Sequence, residues 1–419
     1  MSNVVPNLWE ERPFSELITR HNSGIYKKKE LYGTGLNIAG VSDLYGSIFV
    51  NGREYRRVPL NAAEIKKHTL EEGDLLYGES SLVRSGIART VCVTKKGEGT
   101  AFAWHTRRLK IDRSIADSVF LAYLLEDVGT RLKVEAVATQ TALTGMTTKD
   151  YFSVKLLLPP LSEQQKIASI LSSIDDLIEK TQAKIDKRKN LKIGMMHELL
   201  TKGVGHTEFK DSPVGRIPVK WNIARFSDVF EDYRYGPRFS SKDYNKKGNV
   251  RTIRGTDVES NGEVNYQQVP IAKIDERTVE AHALKDGDLV MITTADCGVS
   301  AVFREQTMPY IASAYAIKLS PSNKIQPQFI KFFMQTPLAM KQIESFIRKG
   351  TVANLPGSDV MQLKLAIPPI DEQKKIASIL IALDSEIEKT QDKLEAVKNT
   401  KQALMQDLLT GKVRVKVDQ

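Results

Sequence analysis

The chain has 419 residues, of which 41% are hydrophobic, and it carries a formal net charge of +10 at pH 7. That length allows two to four globular domains, and the basic excess favours a polyanionic partner without identifying it. Its two cysteines, Cys92 and Cys297, stand far apart and no cysteine or histidine has metal-ligand spacing, so neither a disulfide framework nor a zinc site is expected.

The first predicted segment, residues 1–155, mixes short β-like runs with turn residues, which predicts an α+β domain. An example is Ser47-Ile48-Phe49-Val50, which leads into Asn51-Gly52. Basic residues cluster in this segment around an aromatic residue, Tyr26. The candidate DNA contacts among them are Lys27, Lys28, Arg107 and Arg108. A solvated surface explains any single cluster as well, so both interpretations stay open.

Residues 156–205 predict one long helix. Pro159 and Pro160 precede it, and Ser162 with Gln165 three residues later is the candidate N-cap. Apolar residues then alternate at spacings of four and three, which is a heptad pattern, and Gly203 is placed as the helix stop. The residues predicted to pair with another helix are Ile167, Leu171, Ile174, Ile178 and Ile185.

Residues 206–364 predict a second α+β domain. A β-like run, Asp288-Leu289-Val290-Met291-Ile292, follows Gly287 in this segment. A polar stretch surrounds Gly236, which aligns with Gly24 at a shift of 212 residues (24 to 236). The aromatic residues of this stretch could contact bases, and they fit a half-buried position in the core equally well. The candidate DNA contacts are Arg234, Tyr235, Arg238, Ser240, Ser241 and Arg254.

The last segment, residues 365–419, repeats the first helix. LPPLSEQQKIASILSSIDDLIEKTQAKI from Leu158 returns as IPPIDEQKKIASILIALDSEIEKTQDKL from Ile367, a shift of 209 residues (158 to 367). Asp371 is its candidate N-cap and Gly411 its stop. Fainter markers, such as Pro6 with Pro218, relate the variable segments. The predicted pairing residues of this copy are Ile376, Leu380, Leu383, Ile387 and Leu394.

Two matched heptad seams are expected to pack on each other. Polar residues interrupt both seams at equivalent positions, Thr181 with Thr390 and Lys192 with Lys401, which suits a register-fixing role. Antiparallel pairing would relate the halves by a pseudo-two-fold axis, with one α+β domain at each end of a rod of about 60 Å. The alternative is that each helix packs only on its own domain.

The whole arrangement resembles the specificity subunits of type I restriction-modification systems. The resemblance lies in TEFKDSPVGRIPVKW at Thr207–Trp221 and LPPLSEQQKIA at Leu158–Ala168. It implies two target-recognition domains, each reading one half of a bipartite DNA target through the major groove. The helices, 156–205 and 365–419, would form an antiparallel coiled coil that sets the unread spacer. They would also bind two adenine methyltransferase subunits and optionally two motor-nuclease subunits.

The resemblance further implies a non-catalytic protein of the bacterial or archaeal cytoplasm, with S-adenosylmethionine, ATP and Mg²⁺ held by its partners. The double prolines do not stand in an Asn/Asp-Pro-Pro-Tyr/Phe loop, and no phosphate-binding glycine-rich motif with Lys-Ser/Thr is present. Nor does the chain contain an apolar run of about 20 residues or an N-terminal signal-like stretch. Two alternatives remain: a coiled-coil scaffold that binds duplex without sequence preference, and an autonomous DNA-modifying enzyme.

Overall fold

The computed structural model describes residues 8–140 and 144–417. The chain divides into two compact units, residues 1–182 with 392–419, and residues 183–391. Each unit holds one α+β domain, the first part of one long helix and the last part of the other. Pro6, a marker of the sequence repeat, lies outside the described residues.

The first unit contains short strands and four short helices before the first long helix. The strands are β1 (Glu10–Pro13), β2 (Ile18–Ser23), β3 (Leu36–Ala39), β4 (Phe49–Val50), β5 (Arg56–Val58), β6 (Leu75–Gly78), β7 (Ser80–Ser81), β8 (Thr90–Val93), β9 (Ala101–Phe102), β10 (Thr106–Ile111), β11 (Thr139–Gln140), β12 (Thr144–Gly145) and β13 (Lys155–Leu158). The helices are α1 (Ala62–His68), α2 (Ser118–Glu126), α3 (Val128–Ala136), α4 (Thr148–Ser153) and α5 (Leu161–Thr201).

The strands of the first domain form four small sheets, in the orders β2-β10-β6-β8-β4, β5-β3-β9, β11-β12-β7 and β1-β13. Helix α2 packs against the five-stranded sheet, which buries its largely apolar surface. Phe120 and Tyr123 of α2 lie in one buried cluster with Leu75 and Leu109 of the sheet. This cluster is the main core of the first unit.

The second unit contains eleven strands and five short helices before the second long helix. The strands are β14 (Phe209–Lys210), β15 (Ile217–Pro218), β16 (Asn222–Arg225), β17 (Phe230–Tyr235), β18 (Val250–Ile253), β19 (Ile271–Ala272), β20 (Leu289–Ile292), β21 (Ser300–Val302), β22 (Tyr310–Ala312), β23 (Ala316–Pro321) and β24 (Lys364–Ile367). The helices are α6 (Phe226–Val229), α7 (Glu276–His282), α8 (Pro327–Met334), α9 (Pro337–Phe346), α10 (Gly357–Val360) and α11 (Ile370–Leu408).

The sheets of the second domain repeat those of the first. The order β17-β23-β20-β21 corresponds to β2-β10-β6-β8, the order β19-β18-β22 to β5-β3-β9, and the pair β16-β24 to β1-β13. In the sheets β19-β18-β22 and β5-β3-β9 one strand pair is antiparallel and the other parallel. The predicted fold class, two α+β domains in an internally repeated chain with two long helices, is confirmed.

The first helical residue of each long helix lies two positions earlier than the sequence predicted. Ser162 and Asp371 were the expected N-caps, but α5 starts at Leu161 and α11 at Ile370. The carbonyl of the preceding proline, Pro160, instead accepts the N–H groups of residues 163 and 164 at 2.9 and 3.0 Å, and α11 repeats this arrangement. Proline fits just before a helix because its missing N–H would have no partner there.

The helix ends and seams follow the sequence prediction. Gly203 and Gly411 lie just beyond the helices with φ of +68° and +71°, a left-handed conformation that glycine adopts without steric cost. Every predicted pairing residue of the two seams is buried or half-buried. In the first unit, Ile167 and Leu171 of α5 share a buried cluster with Leu408 of α11.

The two helices run antiparallel within each unit, and polar residues bridge them. In the first unit Lys401 Nζ lies 2.6 Å from Asp175 Oδ1, and in the second Lys192 Nζ lies 2.6 Å from Asp384 Oδ1. These pairs join equivalent residues of the repeat. The polar interruptions at the two lysines are therefore ion-pair positions.

The four sequence segments, 1–155, 156–205, 206–364 and 365–419, remain predictions as domains. The placement of one α+β domain at each end of a rod also remains a prediction. No helix in residues 8–140 and 144–417 is both long and apolar enough to cross a membrane.

Candidate nucleic-acid interface

Both domains contain the same tight turn between two strands. In the first domain it joins β9 to β10 and is closed by a hydrogen bond from Thr106 N to Ala103 O at 3.1 Å. In the second it joins β22 to β23, where Ala316 N donates to Ser313 O at 3.0 Å. The turns are therefore equivalent points on the two repeated domains.

A glycine at the end of a neighbouring strand fixes each turn. Gly24 donates its N–H to the last residue of the first turn at 2.8 Å, and Gly236 does so at the second turn at 3.1 Å. A Cβ on Gly24 would lie 2.0 Å from the carbonyl oxygen of Ala103, and one on Gly236 would lie 2.0 Å from that of Ala312. Only glycine permits this close approach, which explains why these two residues align in the sequence.

The candidate contacts of the first domain surround its turn, with one exception. Lys28 is exposed, whereas the Lys27 ammonium is half-buried in an ion pair with Glu64 at 2.8 Å. Arg107 follows the turn on β10 and pairs with Glu79 at 2.7 Å. These two cations are held in fixed positions by their partners.

Arg108, the exception, is an interior residue. Its side chain is 5% exposed, and its guanidinium donates to Asn22 Oδ1 and to the carbonyl oxygen of Thr69 at 3.0 and 2.7 Å. Successive strand residues point to opposite faces of a sheet, so Arg108 turns inward where Arg107 turns outward. The prediction that Arg108 contacts DNA is therefore withdrawn.

The candidate contacts of the second domain lie on β17 and in the segment after it. Arg234 is exposed and donates to the carbonyl of Ala281 at 2.6 Å, while the Tyr235 hydroxyl accepts the N–H of Gly357 at 2.8 Å. Arg238, Ser240 and Ser241 are exposed.

Phe239 anchors this segment, because it packs against a small core cluster and its ring lies 5.4 Å from that of Tyr244. Arg254 lies on the next strand connection, and its Nε and Nη2 bind the buried Asp257 carboxylate at 3.1 and 2.9 Å. That bond with Asp257 raises the pKa of Arg254, so it is held as a cation. The Arg238 side chain is therefore exposed to solvent, whereas the Arg254 guanidinium is bound to Asp257.

Three exposed aromatic residues at the turns were not selected from the sequence. Trp104 and His105 form the tip of the first turn, and Tyr315 lies at the second. The run Ala-Phe-Ala-Trp-His looks like a buried strand, because a one-dimensional pattern does not reveal where a strand ends and turns outward. The strand pairing in the structure shows that these rings lie in turns and are exposed.

No cluster of His, Cys, Asp and Glu among the described residues is suited to hold a metal ion. Burial raises the pKa of the Cys92 and Cys297 thiols, which keeps them protonated. Burial and the neighbouring Arg107 lower the pKa of His21, so this ring beside the turn is neutral at pH 7.

A family comparison agrees with the repeated architecture. The model described as "Type I restriction modification DNA specificity domain" matches residues 6–187 and again residues 218–399. The chain belongs to this family. Each matched stretch of the specificity chain contains one α+β domain, its turn and the beginning of the long helix that follows.

Named relatives span most of the specificity chain. The type I restriction enzyme MjaVIII specificity subunit of Methanocaldococcus jannaschii is 29% identical over 321 residues, covering 74% of this chain and 73% of the relative. The putative MjaX specificity subunit of the same organism is 26% identical over 421 residues, covering 98% and 95%. The match to the MjaX subunit thus spans nearly the full length of the specificity chain, and the match to the MjaVIII subunit about three quarters of it.

Solved structures share the fold. A type I restriction-modification S subunit from M. genitalium gives a TM-score of 0.57 at 15% identity, covering 96% of both chains. A chain from a study of complex assembly in a type I system gives 0.55 at 16% identity, covering 98% of the specificity chain and all of the other. At this level of identity the likeness concerns the fold alone.

Proposed function

We propose that the specificity chain recognises a bipartite DNA sequence, with each α+β domain reading one half and the base pairs between the halves left unread. This proposal rests mainly on one observation. The two domains share the same strand order and the same turn held by a glycine, but they carry different side chains at the tip of that turn. A shared framework with two different surfaces suits the reading of two different short sequences. The net charge of +10 suits binding to the phosphate backbone.

The proposal extends to the partners. We propose that the chain is not itself an enzyme and binds two adenine methyltransferase subunits, optionally with two motor-nuclease subunits. S-adenosylmethionine, ATP and Mg²⁺ would then be held by those partners, in the cytoplasm where the DNA lies. Its relatives are named as subunits of restriction enzymes, and one structural neighbour comes from work on the assembly of a type I system, which supports this role.

Exchanging residues 1–155 for the matching domain of a relative tests the two-reader proposal. The sites modified in cells carrying the hybrid and the methyltransferase should change in one half of the target only, because the other domain is untouched. The reciprocal exchange of residues 206–364 is the matched control and should change the other half. A hybrid that alters both halves, or neither, would contradict independent reading.

A second test concerns catalysis. The purified chain, supplied with S-adenosylmethionine and target duplex, should transfer no methyl group until the methyltransferase subunit is added. Methyl transfer by the chain alone would show that it is an autonomous enzyme.

A further inference from the structure

The three tryptophans of the chain have very different environments. Trp9 and Trp221 are buried, and their indole N–H groups donate to carboxylates at the starts of the long helices. Trp104 is instead 51% exposed at the tip of the turn after β9. A large aromatic ring left in solvent gains little from folding, so its position indicates a contact surface.

Trp104 is held in a defined orientation. Its ring stacks on His105 with centroids 4.3 Å apart and an interplanar angle of 17°, and it meets the Tyr26 ring edge-on at 5.2 Å. The backbone on both sides is fixed, because Trp104 N donates to the carbonyl of Ile25 and Glu79 N donates to that of His105, each at 2.8 Å. The φ of His105 is +64°, a left-handed value that a residue with a side chain adopts at a cost.

The surroundings of this aromatic group favour an anion. Tyr26 is 64% exposed, and the exposed Lys28 and Lys29 lie two and three residues after it. Two carboxylates on neighbouring elements are paired with cations, Glu64 with Lys27 and Glu79 with Arg107, and the exposed Glu30 follows Lys29. A rigid aromatic tip beside solvent-exposed lysines suits DNA, with the rings toward bases and the lysines toward phosphates.

The second domain carries a different tip on the same turn. Thr293 N donates to the carbonyl of Tyr315 at 2.9 Å, as Glu79 N does to that of His105. Tyr315 therefore takes the place of His105, and it is 66% exposed. Ala314 stands where the first domain has Trp104. The two turns thus carry different side chains at their tips.

We propose that Trp104, supported by His105 and Tyr26, contacts bases of the half-site read by the first domain and determines part of its sequence preference. The flat indole face packs against an apolar base edge such as a thymine methyl group, while Lys28 and Lys29 bind the adjacent phosphates. This inference rests on the proposed function, since it assigns a reading residue to one of the two recognition domains.

The experiment uses the full chain assembled with its methyltransferase subunits, and the wild-type target is first identified from the sites modified in cells. Binding is then measured to four duplexes: the target, the target with its first half changed, the target with its second half changed, and one with both changed. Trp104→Ala should weaken binding to the target about tenfold or more and reduce discrimination at the first half-site. Discrimination at the second half-site should stay as in the wild type.

Three variants complete the test. Trp104→Phe keeps an aromatic ring and should retain part of the discrimination, and Tyr315→Ala should affect the second half-site only. Leu132→Ala removes a comparably exposed apolar side chain from α3 and should change neither. Equal thermal melting of the wild type and Trp104→Ala would show that folding is intact.

Two results would overturn the inference. In one, Trp104→Ala binds all four duplexes like the wild type. In the other, it weakens binding equally to every duplex, which would make Trp104 a sequence-independent contact. A wild-type complex that fails to discriminate among the duplexes would overturn the proposed function itself, and with it this inference.

Discussion

Two glutamates show how single residues repeat their role in the two units. Each glutamate lies in the first turn of a long helix. Its carboxylate accepts a hydrogen bond from the indole N–H of its domain's tryptophan, and it also contacts a basic side chain from the segment that follows the other long helix. The bonds are Trp9 Nε1 to Glu163 Oε2 at 3.3 Å, Arg414 Nε to Glu163 Oε1 at 2.7 Å, Trp221 Nε1 to Glu372 Oε2 at 3.1 Å, and His206 Nε2 with Glu372 Oε1 at 2.8 Å. A buried carboxylate with such partners fixes the domain against the helix start.

A pH dependence of stability follows from two buried aspartates. Asp74 and Asp288 each accept a backbone N–H, from Glu71 and Lys285 at 2.9 and 2.8 Å, and burial raises the pKa of both. The folded chain therefore holds these protons more tightly than the unfolded chain, whose aspartates titrate near 3.8. Their contribution to the unfolding free energy is fully present below that value and is lost as pH rises through the folded pKa.

The double variant Asp74→Asn with Asp288→Asn should lack this dependence. Its unfolding free energy relative to the wild type should fall as pH is lowered from 7 toward 4, as measured by urea unfolding. Asp112→Asn is the control: bonds from Ser114 lower the pKa of the exposed Asp112 carboxylate, so its contribution is lost only as pH falls below 3.8, and this variant should not lose stability relative to the wild type between pH 7 and 4. A double variant that tracks the wild type at every pH would show that the two aspartates titrate alike in both states.

Arg238 gives a prediction about recognition. It is exposed in the segment after β17, where it is free to reach a groove. If Arg238 reads a guanine, Arg238→Ala should cost about 1–3 kcal/mol of binding free energy and relax the preference at one position. If it contacts phosphate, binding should weaken alike for all sequences. Titration with target and random duplex separates these outcomes, and unchanged affinity for both would exclude Arg238 from the interface.

At the scale of elements, the helix seams combine apolar packing with a repeated ion pair. Lys192 pairs with Asp384 in one unit, and Lys401 pairs with Asp175 in the other. Each lysine also lies over an aromatic ring of its domain's core helix, at 5.4 Å from the ring centroid. Such pairs specify one register, since a slip would leave a partly buried charge without its partner.

A double-mutant cycle on Lys192→Met and Asp384→Asn tests this role. The half-buried pair should show a coupling free energy of about 1 kcal/mol in chemical unfolding. The exposed pair Lys202 with Glu198, at 2.9 Å within α5, is the control and should couple by less than about 0.5 kcal/mol. Additive effects at Lys192 and Asp384 would show that the pair contributes no register energy.

At the scale of the whole molecule, the gapless repeat of the helices predicts that they set the length of the unread spacer. Four residues inserted near Thr201 would add slightly more than one helical turn, ~6 Å and some 40° of extra rotation. Because DNA rises about 3.4 Å per base pair, the preferred spacer should lengthen by one or two base pairs while both half-sites keep their sequence. Sequencing of modified sites in cells carrying the insertion variant measures this directly.

The control for the insertion is a four-residue segment placed in an exposed loop, at Gly46. This loop insertion should leave the spacer unchanged. Undiminished modification at the original spacer by the helix variant would mean that the partner subunits, and not the helices, fix the distance.

The sequence by itself determined the repeat, the two α+β domains and the two helices with their buried seams. These features depend on periodicity and on the identity of paired segments, which are properties of a line of residues. It also marked Gly24 and Gly236, because the close contact that each makes forbids a side chain in both copies.

Only the tertiary structure decided which polar and aromatic residues face solvent. Arg107 and Arg108 are neighbours in the chain, yet one lies at the edge of the turn and the other is buried against Asn22 and Thr69. Trp104 lies in an apolar run of the sequence but projects into solvent, because the strand β9 ends at Phe102 and Trp104 belongs to the turn that follows. The exposure of a side chain depends on strand register and on partners distant in the sequence. Neither can be read from the composition and spacing of the residues around it.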